Sequence, residues 1–365
     1  MQIGGRSAAF ERSHDVLTDH GLKYRSIPLC PWNRTLFVTI TLLHSDECRK
    51  TLFATSAGDR HSSPRQVWGE RRRFMEAERA QFGPDGRRSL WRNRVFLAGL
   101  ATFYSGARLL RLHRRGRRNA LDIQLVTQSI SLADLPGSFN GYRILHLSDT
   151  HLDCLPELAT VASRLLAGIE VDLLALTGDI HGHHRAPLSA STGPLAKLIN
   201  AVDVKDRRLA VLGNHDPADM AEALEKLGFD VLLNDSTVLA RGDQHIVFTG
   251  LDDVHRFFTG DALRALSRAP EGLRIALVHS AEVADHASAA GYALYLCGHT
   301  HGGQICLPGG RPIITHLRRC RHASVGLWRE GRMVGYTSRG LGVGDVPLRF
   351  NSRGEISVIT LRQSL

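Results

Sequence analysis

The sequence has few cysteines and no long apolar run, and each absence narrows the class of protein. Six cysteines occur among 365 residues, without regular spacing and without a CxxC pair. This argues against a disulfide-rich scaffold and a zinc ribbon, and mildly favours a reducing environment. No apolar run reaches the roughly 18 residues of a membrane-spanning helix, which excludes a polytopic membrane protein. A hydrophobic content of 43% nevertheless allows a sizeable core.

The charge of the chain is concentrated in its N-terminal part. Residues 1–140 contain 23 Lys and Arg against 12 Asp and Glu, a formal charge of +11. Residues 141–365 contain 23 against 24, a charge of −1, together with 14 of the 19 histidines. This asymmetry predicts a surface-binding arm joined to a separate working domain.

The basic part divides into two predicted segments. Residues 1–90 have no sustained periodicity and are predicted to be a poorly ordered extension, with a charged helix from Arg71 to about Phe82 and Met75 as an alternative start of translation. Residues 91–118 contain the 13-residue apolar run Val95–Ala107, followed by six arginines. This run is short for a membrane span, so it predicts a helix on the membrane surface or a short anchor. The alternative is a buried helix with a solvated basic end.

From residue 119 onward, short apolar runs alternate with helical patterns. Leu121, Ile123 and Leu125 alternate with polar neighbours and predict a first strand. Further strands are predicted at 143–148, 172–177, 208–212, 245–250, 274–279 and 293–297, and helices at 156–169, 193–202, 218–227, 260–267 and 281–289. After Gly302 the pattern is rich in glycine and typical of β-structure. The alternation predicts a layered α/β domain over residues 119–365.

Five polar clusters follow predicted strands directly. Ligands of layered α/β folds collect beyond the carboxyl ends of the strands, so these clusters are expected to meet in space. They are Asp149-Thr150-His151, Gly178-Asp179, Gly213-Asn214-His215-Asp216, His279, and Gly298-His299-Thr300-His301. Each alone is more often a turn or a satisfied core histidine, but five in succession at strand ends indicate a site.

The chemistry of these clusters predicts metal binding. Carboxylates, one carboxamide and several imidazoles, without thiolates, suit Mn, Fe, Zn, Co or Ni. A carboxylate between two such groups can bridge two cations. Two cations about 3.5–4 Å apart bind a phosphate and activate a water molecule.

The order D-x-H, GD, GNH, H, GHxH resembles that of the calcineurin-like metallophosphoesterases. The sequence around these motifs is similar to that of the bacterial YkuE/YaeI-type phosphodiesterases. The similar segments are Ile144–His151, Gly298–Ile305 and Ser338–Gly342. The resemblance covers about Leu121 to Leu361 and implies a four-layer α/β/β/α sandwich with two divalent metal ions.

The resemblance also implies a role for each matching residue. Two ligand sets are implied, with Asp179 bridging: Asp149, His151, Asp179 and His301 for one metal, and Asp179, Asn214, His279 and His299 for the other. His215 would face the phosphate and stabilise or protonate the leaving oxygen. Arg339, in a glycine-rich stretch, is a candidate contact for the substrate phosphate.

The sequence departs from the family pattern after the bridging residue. Many relatives carry a GDxxD carboxylate that can orient the histidine of GNH, whereas here Asp179 is followed by Ile180-His181-Gly182-His183-His184. The orienting partner of His215 is therefore open. The three histidines either line the pocket or lie in a solvated loop.

These observations predict a metal-dependent phosphodiesterase or pyrophosphatase in which a metal-held hydroxide attacks phosphorus, with activity falling in acid. The basic apolar segment favours an anionic membrane surface as partner, at its cytoplasmic face. The resemblance implies a phosphodiester or pyrophosphate bond in the substrate, and UDP-2,3-diacylglucosamine is a lipid-linked candidate at the level of this branch of the family. Two alternatives remain. One is a nuclease whose basic arm binds nucleic acid, although no alternating basic and aromatic platform supports it. The other is a non-catalytic metal-binding module. The sequence indicates neither the metals nor the oligomeric state.

Overall fold

The computed structural model describes residues 63–82, 98–99, 102, 104–106, 108–109, 111–183, 186–344 and 346–364. The chain divides into two units, Met1–Trp68 and Gly69–Leu365. The first unit is described only over residues 63–68. The predictions for residues 1–62 and 83–90, and for most of the apolar run, lie outside the described residues.

The described part of the chain contains twelve strands and seven α-helices of six residues or more. The strands are β1 Gln124–Leu132, β2 Arg143–Leu147, β3 Glu170–Thr177, β4 Asp203–Val211, β5 Asp230–Val231, β6 Asp235–Arg241, β7 Gln244–Gly250, β8 Leu273–Leu277, β9 Leu294–Cys297, β10 Gly326–Glu330, β11 Met333–Thr337 and β12 Glu355–Gln363. The helices are α1 Pro64–Phe82, α2 Leu112–Leu121, α3 Glu157–Leu166, α4 Ser189–Ile199, α5 Met220–Lys226, α6 Gly260–Arg268 and α7 Ala284–Ala289.

These strands form two six-stranded sheets. The first has the order β1-β12-β2-β3-β4-β5 and the second the order β10-β11-β9-β8-β7-β6. Strands β2, β3 and β4 run parallel, as do β7, β8 and β9. Their carboxyl ends therefore lie along one edge of each sheet, where loops can place side chains together.

The two sheets pack face to face. Ile144, Leu173 and Leu209 of the first sheet share one buried cluster with Phe248 and Ile275 of the second. Side chains alternate along a strand, so the intervening residues point to the outer faces. Both faces are buried, which explains why these strands are continuous apolar runs rather than alternating patterns.

Helices cover the outer faces. Ala262 of α6 and Ala284 of α7 pack with Tyr295 of the second sheet. Helices α3 and α4, which follow β2 and β3 in the chain, each have a buried face that includes Leu158 and Leu195, respectively. This arrangement is the four-layer α/β/β/α sandwich that the resemblance implied, and it confirms the predicted fold class.

Helix α2 replaces the start of the predicted first strand. Leu121 is the last residue of this helix, and β1 begins only at Gln124. The prediction was wrong there because a helical turn continues through the buried Ala120, and the Asp122 amide bonds to the carbonyls of Arg118 and Asn119. The helix thus crosses the predicted boundary between residues 118 and 119. It packs closely, since a Cβ at Gly116 would lie 2.9 Å from the Phe350 ring.

Helix α1 confirms the charged helix predicted to end at Phe82, but it begins at Pro64 rather than Arg71. Across the described residues, no helix combines the length and the apolar character that a membrane crossing needs.

Candidate metal centre

The five predicted clusters meet at the carboxyl ends of the strands. Asp149 follows β2, Asp179 follows β3, Asn214 and His215 follow β4, and His279 follows β8. His299 and His301 follow β9. Six of these side chains form two groups whose ligand atoms lie within 4.8 Å of one another: Asp149, His151 and His301, and Asp179, His279 and His299.

Asp179 lies between the two groups. Its Oδ2 atom is 3.6 Å from Nε2 of His151 and 3.3 Å from Nε2 of His279. His279 Nε2 is also 3.2 Å from Oδ1 of Asn214, and Nε2 of His301 is 3.5 Å from Oδ1 of Asp149. These separations suit ligand atoms arranged around shared cations. The assignment of each ligand to a particular metal stays a prediction.

The hydrogen bonds of the histidines leave lone pairs for cations. The Nδ1 atoms of His151 and His279 lie 3.0 Å and 2.9 Å from the carbonyls of His181 and Thr177, and a carbonyl only accepts. Each ring therefore carries a proton on Nδ1 and directs Nε2 into the centre, where a bound cation would take the place of any second proton. Among the described residues, the buried Nε2 atoms of His151 and His299 have no hydrogen-bond partner. This donor set fits a pair of divalent metal ions.

The electrostatics of the centre also call for a cation. Burial raises the pKa of the Asp149 carboxyl. Burial opposes ionisation of Asp179 too, but His279 and His215 hold its pKa well below the usual range. Burial lowers the pKa of His279, yet the nearby carboxylate of Asp179 outweighs this and raises it to about 10. The carboxylates thus attract positive charge, which divalent cations supply.

The backbone of the centre is held in an uncommon conformation. Five of the seven predicted ligands have positive φ angles, namely Asp149 (49°), His151 (37°), Asp179 (53°), His299 (72°) and His301 (51°). Non-glycine residues adopt this region at a cost of about 1–3 kcal/mol each, and such residues cluster at functional sites. The surrounding packing must therefore stabilise positive φ angles that are unfavourable for these residues in isolation.

Asp216 organises the loops of the centre, a role that sequence reasoning missed. Its buried carboxylate accepts hydrogen bonds from the amides of Asp179, Ile180, His181 and Gly213. Burial and the neighbouring Asp179 raise its pKa to about 6. None of residues 180–184 has a carboxylate. Asp216 instead joins the loop after β3 to the loop after β4. The amide of His215 itself donates to Oδ1 of Asp179 at 2.8 Å.

The side chains of His181 and His183 do not belong to the two central groups. His181 is buried, with Nδ1 2.7 Å from the Ser191 hydroxyl, and His183 is exposed. His184 lies outside the described residues. Asp153, Cys154 and His183 form a third group with metal-binding side chains. The Asp153 carboxylate already accepts hydrogen bonds from the Gly182 and His183 amides, so it serves to order this loop.

A cavity of about 470 Å³ opens over the centre. Its lining includes polar residues of the centre, Asp179, Asn214, His215, His299 and His301, and also apolar residues, Ile305, Ile313, Ile314 and Val346. Two further lining histidines were missed because no strand-end motif marks them. One is His255, whose ring centroid lies 4.3 Å from that of His299. The other is His316.

Arg339 lies beside this region rather than in it. It is not among the residues that line the cavity, and its Nε atom is 3.8 Å from Oε2 of Glu355. Its side chain packs close to Gly302, where a Cβ would lie 2.8 Å from Cγ of Arg339. A contact between Arg339 and a substrate phosphate stays a prediction.

A four-layer sandwich with facing Asp and His groups beyond its strand ends is the arrangement expected of a metal-dependent phosphoesterase. The sequence profile of the calcineurin-like phosphoesterase family matches residues 142–303. The metallophosphoesterase YkuE of Bacillus subtilis is 34% identical over 66% of this chain and 86% of its own length. The phosphodiesterase YaeI of Escherichia coli is 27% identical over 60% of this chain and 82% of its own.

A zebrafish relative, named a transmembrane protein with metallophosphoesterase domain, is 28% identical over 66% of this chain and 58% of its own length. The chain belongs to the calcineurin-like metallophosphoesterases. It is therefore a hydrolase of phosphoric esters that uses divalent metal ions.

Proposed function

We propose that this enzyme cleaves a phosphodiester or pyrophosphate bond in a lipid-linked substrate at the cytoplasmic face of an anionic membrane. UDP-2,3-diacylglucosamine is a substrate of this class, with a pyrophosphate beside acyl chains. The name of the YaeI relative, a phosphodiesterase, supports the bond type. The observation that carries the proposal is the mixed lining of the cavity, which combines predicted metal-binding side chains with three isoleucines.

Part of the apolar lining of the cavity is exposed at the protein surface. Ile313 and Ile314 line the cavity and are 58% and 49% exposed, and Leu307 on the same loop is 50% exposed. Large apolar side chains grouped at the mouth of a charged site mark a surface that binds an apolar partner. An acyl chain is such a partner, and its attached phosphate would reach the metal centre.

The basic segment supports a membrane location. Of its described residues, Arg108, Arg111, Arg114, Arg115 and Arg118 are exposed. Leu109 is 85% exposed among them. Exposed arginines interleaved with an exposed leucine suit a surface of anionic lipid. The name of the zebrafish relative agrees with a membrane association.

The chain's own residues divide the work of the reaction. Bound divalent cations would neutralise the phosphate and lower the pKa of a water molecule. Asp149 and Asp179, with the histidine rings, would hold those cations in place. His215 borders the cavity, with its ring centroid 5.4 Å from that of His151. In this proposal His215 gives a proton to the leaving oxygen, a step worth roughly 10²–10⁴-fold in rate.

The proposal is tested with the full chain, Mn²⁺ and four substrates: UDP-2,3-diacylglucosamine, a chromogenic bis-ester, a chromogenic mono-ester and single-stranded DNA. The double variant Ile313→Ser, Ile314→Ser should lower kcat/KM for the lipid substrate by about 10-fold or more, since each removes several buried CH₂ groups from the contact. Hydrolysis of the small bis-ester should be unchanged.

The control variant is Val238→Ser, which alters an exposed apolar residue on β6 and should affect neither substrate. An equal loss on both substrates would contradict a lipid-binding role for the isoleucines. Preferential cleavage of DNA would overturn the proposal in favour of a nuclease.

A further inference from the structure

Helix α1 places the buried side chain of Arg72 beside the metal centre. Arg72 is 1% exposed, whereas its neighbours Arg71 and Arg73 pair with Asp261 and Asp219 at the surface. Burying a guanidinium is costly unless its donors are satisfied, so its partners show what it does. The residue lies before the predicted catalytic domain and before the stretch that matches the family profile.

The guanidinium of Arg72 bonds to the loop that follows β4. Its Nη2 atom donates to the carbonyls of Gly213 at 2.9 Å and Asp216 at 2.8 Å. These two carbonyls flank Asn214 and His215, the predicted metal ligand and the predicted acid. One nitrogen therefore fixes both ends of the segment that carries them.

Three other groups hold the guanidinium in place. Nη1 donates to the carboxylate of Asp252, and Nε donates to Oε1 of Glu76 at 3.1 Å. The same Glu76 oxygen accepts the Ala218 amide at 2.9 Å, just past the loop. The guanidinium lies 3.5 Å from the centroid of the Phe257 ring. Arg72 is thus rigid, and its planar fork has a fixed direction.

The loop is held from its opposite side by the Asp216 carboxylate, which accepts the amides of Gly213 and Asp179. Arg72 binds carbonyls and Asp216 binds amides, so the two residues restrain complementary backbone groups. A proton donor must be held within tenths of an ångström of its acceptor, and a 1 Å displacement costs about 10²-fold in rate.

We propose that Arg72 is a positioning residue that orients His215 for proton transfer through the backbone of residues 213–216. The N-terminal helix is then part of the catalytic apparatus. This inference rests on the proposed acid role of His215. Arg72 restrains the backbone around His215, which differs from the carboxylate that the GDxxD pattern provides in many relatives.

The test is a double-mutant cycle on the full chain with Mn²⁺. Arg72→Lys keeps a cation beside Asp252 but cannot reproduce the fork. It should lower kcat about 10- to 100-fold on a diester with a poorly acidic phenol leaving group, with two metal ions still bound per chain. The loss should be smaller for p-nitrophenolate, which needs less protonation, and in the His215→Ala background Arg72→Lys should cost less than about 3-fold.

The matched control is Arg73→Lys, the same change at the adjacent exposed position, which should leave kcat unchanged. If Arg72→Lys does not yield folded protein, Glu76→Gln weakens the support of the guanidinium and enters the same cycle, with a smaller loss expected. Multiplicative losses in the cycle, equal losses for both leaving groups, or loss of metal in Arg72→Lys would each overturn the inference. A His215→Ala variant with full activity would instead overturn the acid role itself.

Discussion

At the scale of single residues, Asp179 is the side chain on which both halves of the centre depend. Its Oδ2 atom lies within 3.6 Å of a histidine from each half. Its backbone has a φ angle of 53°, and its Oδ1 atom accepts the His215 amide. Replacing its charge should therefore affect two cations together.

Asp179→Asn is expected to abolish detectable hydrolysis and to lower the bound Mn²⁺ from two ions per chain. Even residues outside the ligand set cost 10–100-fold when changed in metal sites, so a shared ligand should cost more. Metal analysis by mass spectrometry and turnover of a bis-ester would measure this. Asp243→Asn, at an exposed hairpin turn, is the control. Normal turnover with unchanged metal content in Asp179→Asn would refute the two-metal centre.

The ligand types and their order were predictable because each stands directly after an apolar strand. The side chains that support them were not. Arg72 bonds to Gly213 across 141 positions, and Arg349 reaches the His301 carbonyl across 48. Contacts of this range leave no periodicity in the sequence. Only the role of Asp216 could have been predicted from the sequence, since this residue directly follows His215.

At the scale of elements, the strand ends approach one another so closely that only glycine fits between them. A Cβ at Gly298, directly after β9, would overlap Oγ of Ser148 and Oδ2 of Asp149. The two sheets meet at this point, so the position couples a strand of one sheet to a ligand of the other.

Gly298→Ala is expected to displace the Asp149 carboxylate and weaken Mn²⁺ binding by about 10-fold or more, the effect of disturbing a ligand's support. Calorimetric titration with Mn²⁺ would measure the affinity. Gly193→Ala in α4 is the matched control, because nothing lies within 4 Å of the added Cβ. A helical alanine there should raise the free energy of unfolding by about 0.5–1 kcal/mol. Equal metal affinity in both variants would contradict the close-approach argument.

The elements of the sandwich were well predicted where apolar runs are buried on both faces. The β2, β7 and β9 predictions match the structure to within a residue at each end. Elements of mixed character were harder. Residues 112–121 form a helix, although its last residue, Leu121, also fits an alternating strand pattern. The close packing of Gly116 on Phe350, which favours the helix, is visible only in the structure.

At the scale of the whole molecule, the uneven charge should govern binding to membranes. The full chain is expected to co-sediment with vesicles rich in phosphatidylserine. Neutralising Arg111, Arg114, Arg115 and Arg118 with Gln should weaken this by roughly 10²–10³-fold, at about 1 kcal/mol per arginine near the surface. Added salt should weaken binding of the unaltered chain as well.

The control changes four exposed arginines elsewhere, Arg164, Arg268, Arg329 and Arg332, to Gln. It lowers the net charge equally and should bind vesicles like the unaltered chain. Equal weakening in both quadruple variants would show that total charge, rather than the basic segment, drives association. Preference for nucleic acid over vesicles would argue against the membrane.

The position of β12 has a consequence for biosynthesis. This strand, Glu355–Gln363, lies between β1 and β2 in the first sheet. While the ribosome is still translating the preceding residues, β1 and β2 have no common neighbour, and the loop carrying Asp149 lacks one wall. Strand β12 must therefore enter the sheet between two strands that were made much earlier. Pairing between segments so far apart in sequence is slow, so metal loading is expected to follow the synthesis of β12 rather than that of the ligand loops.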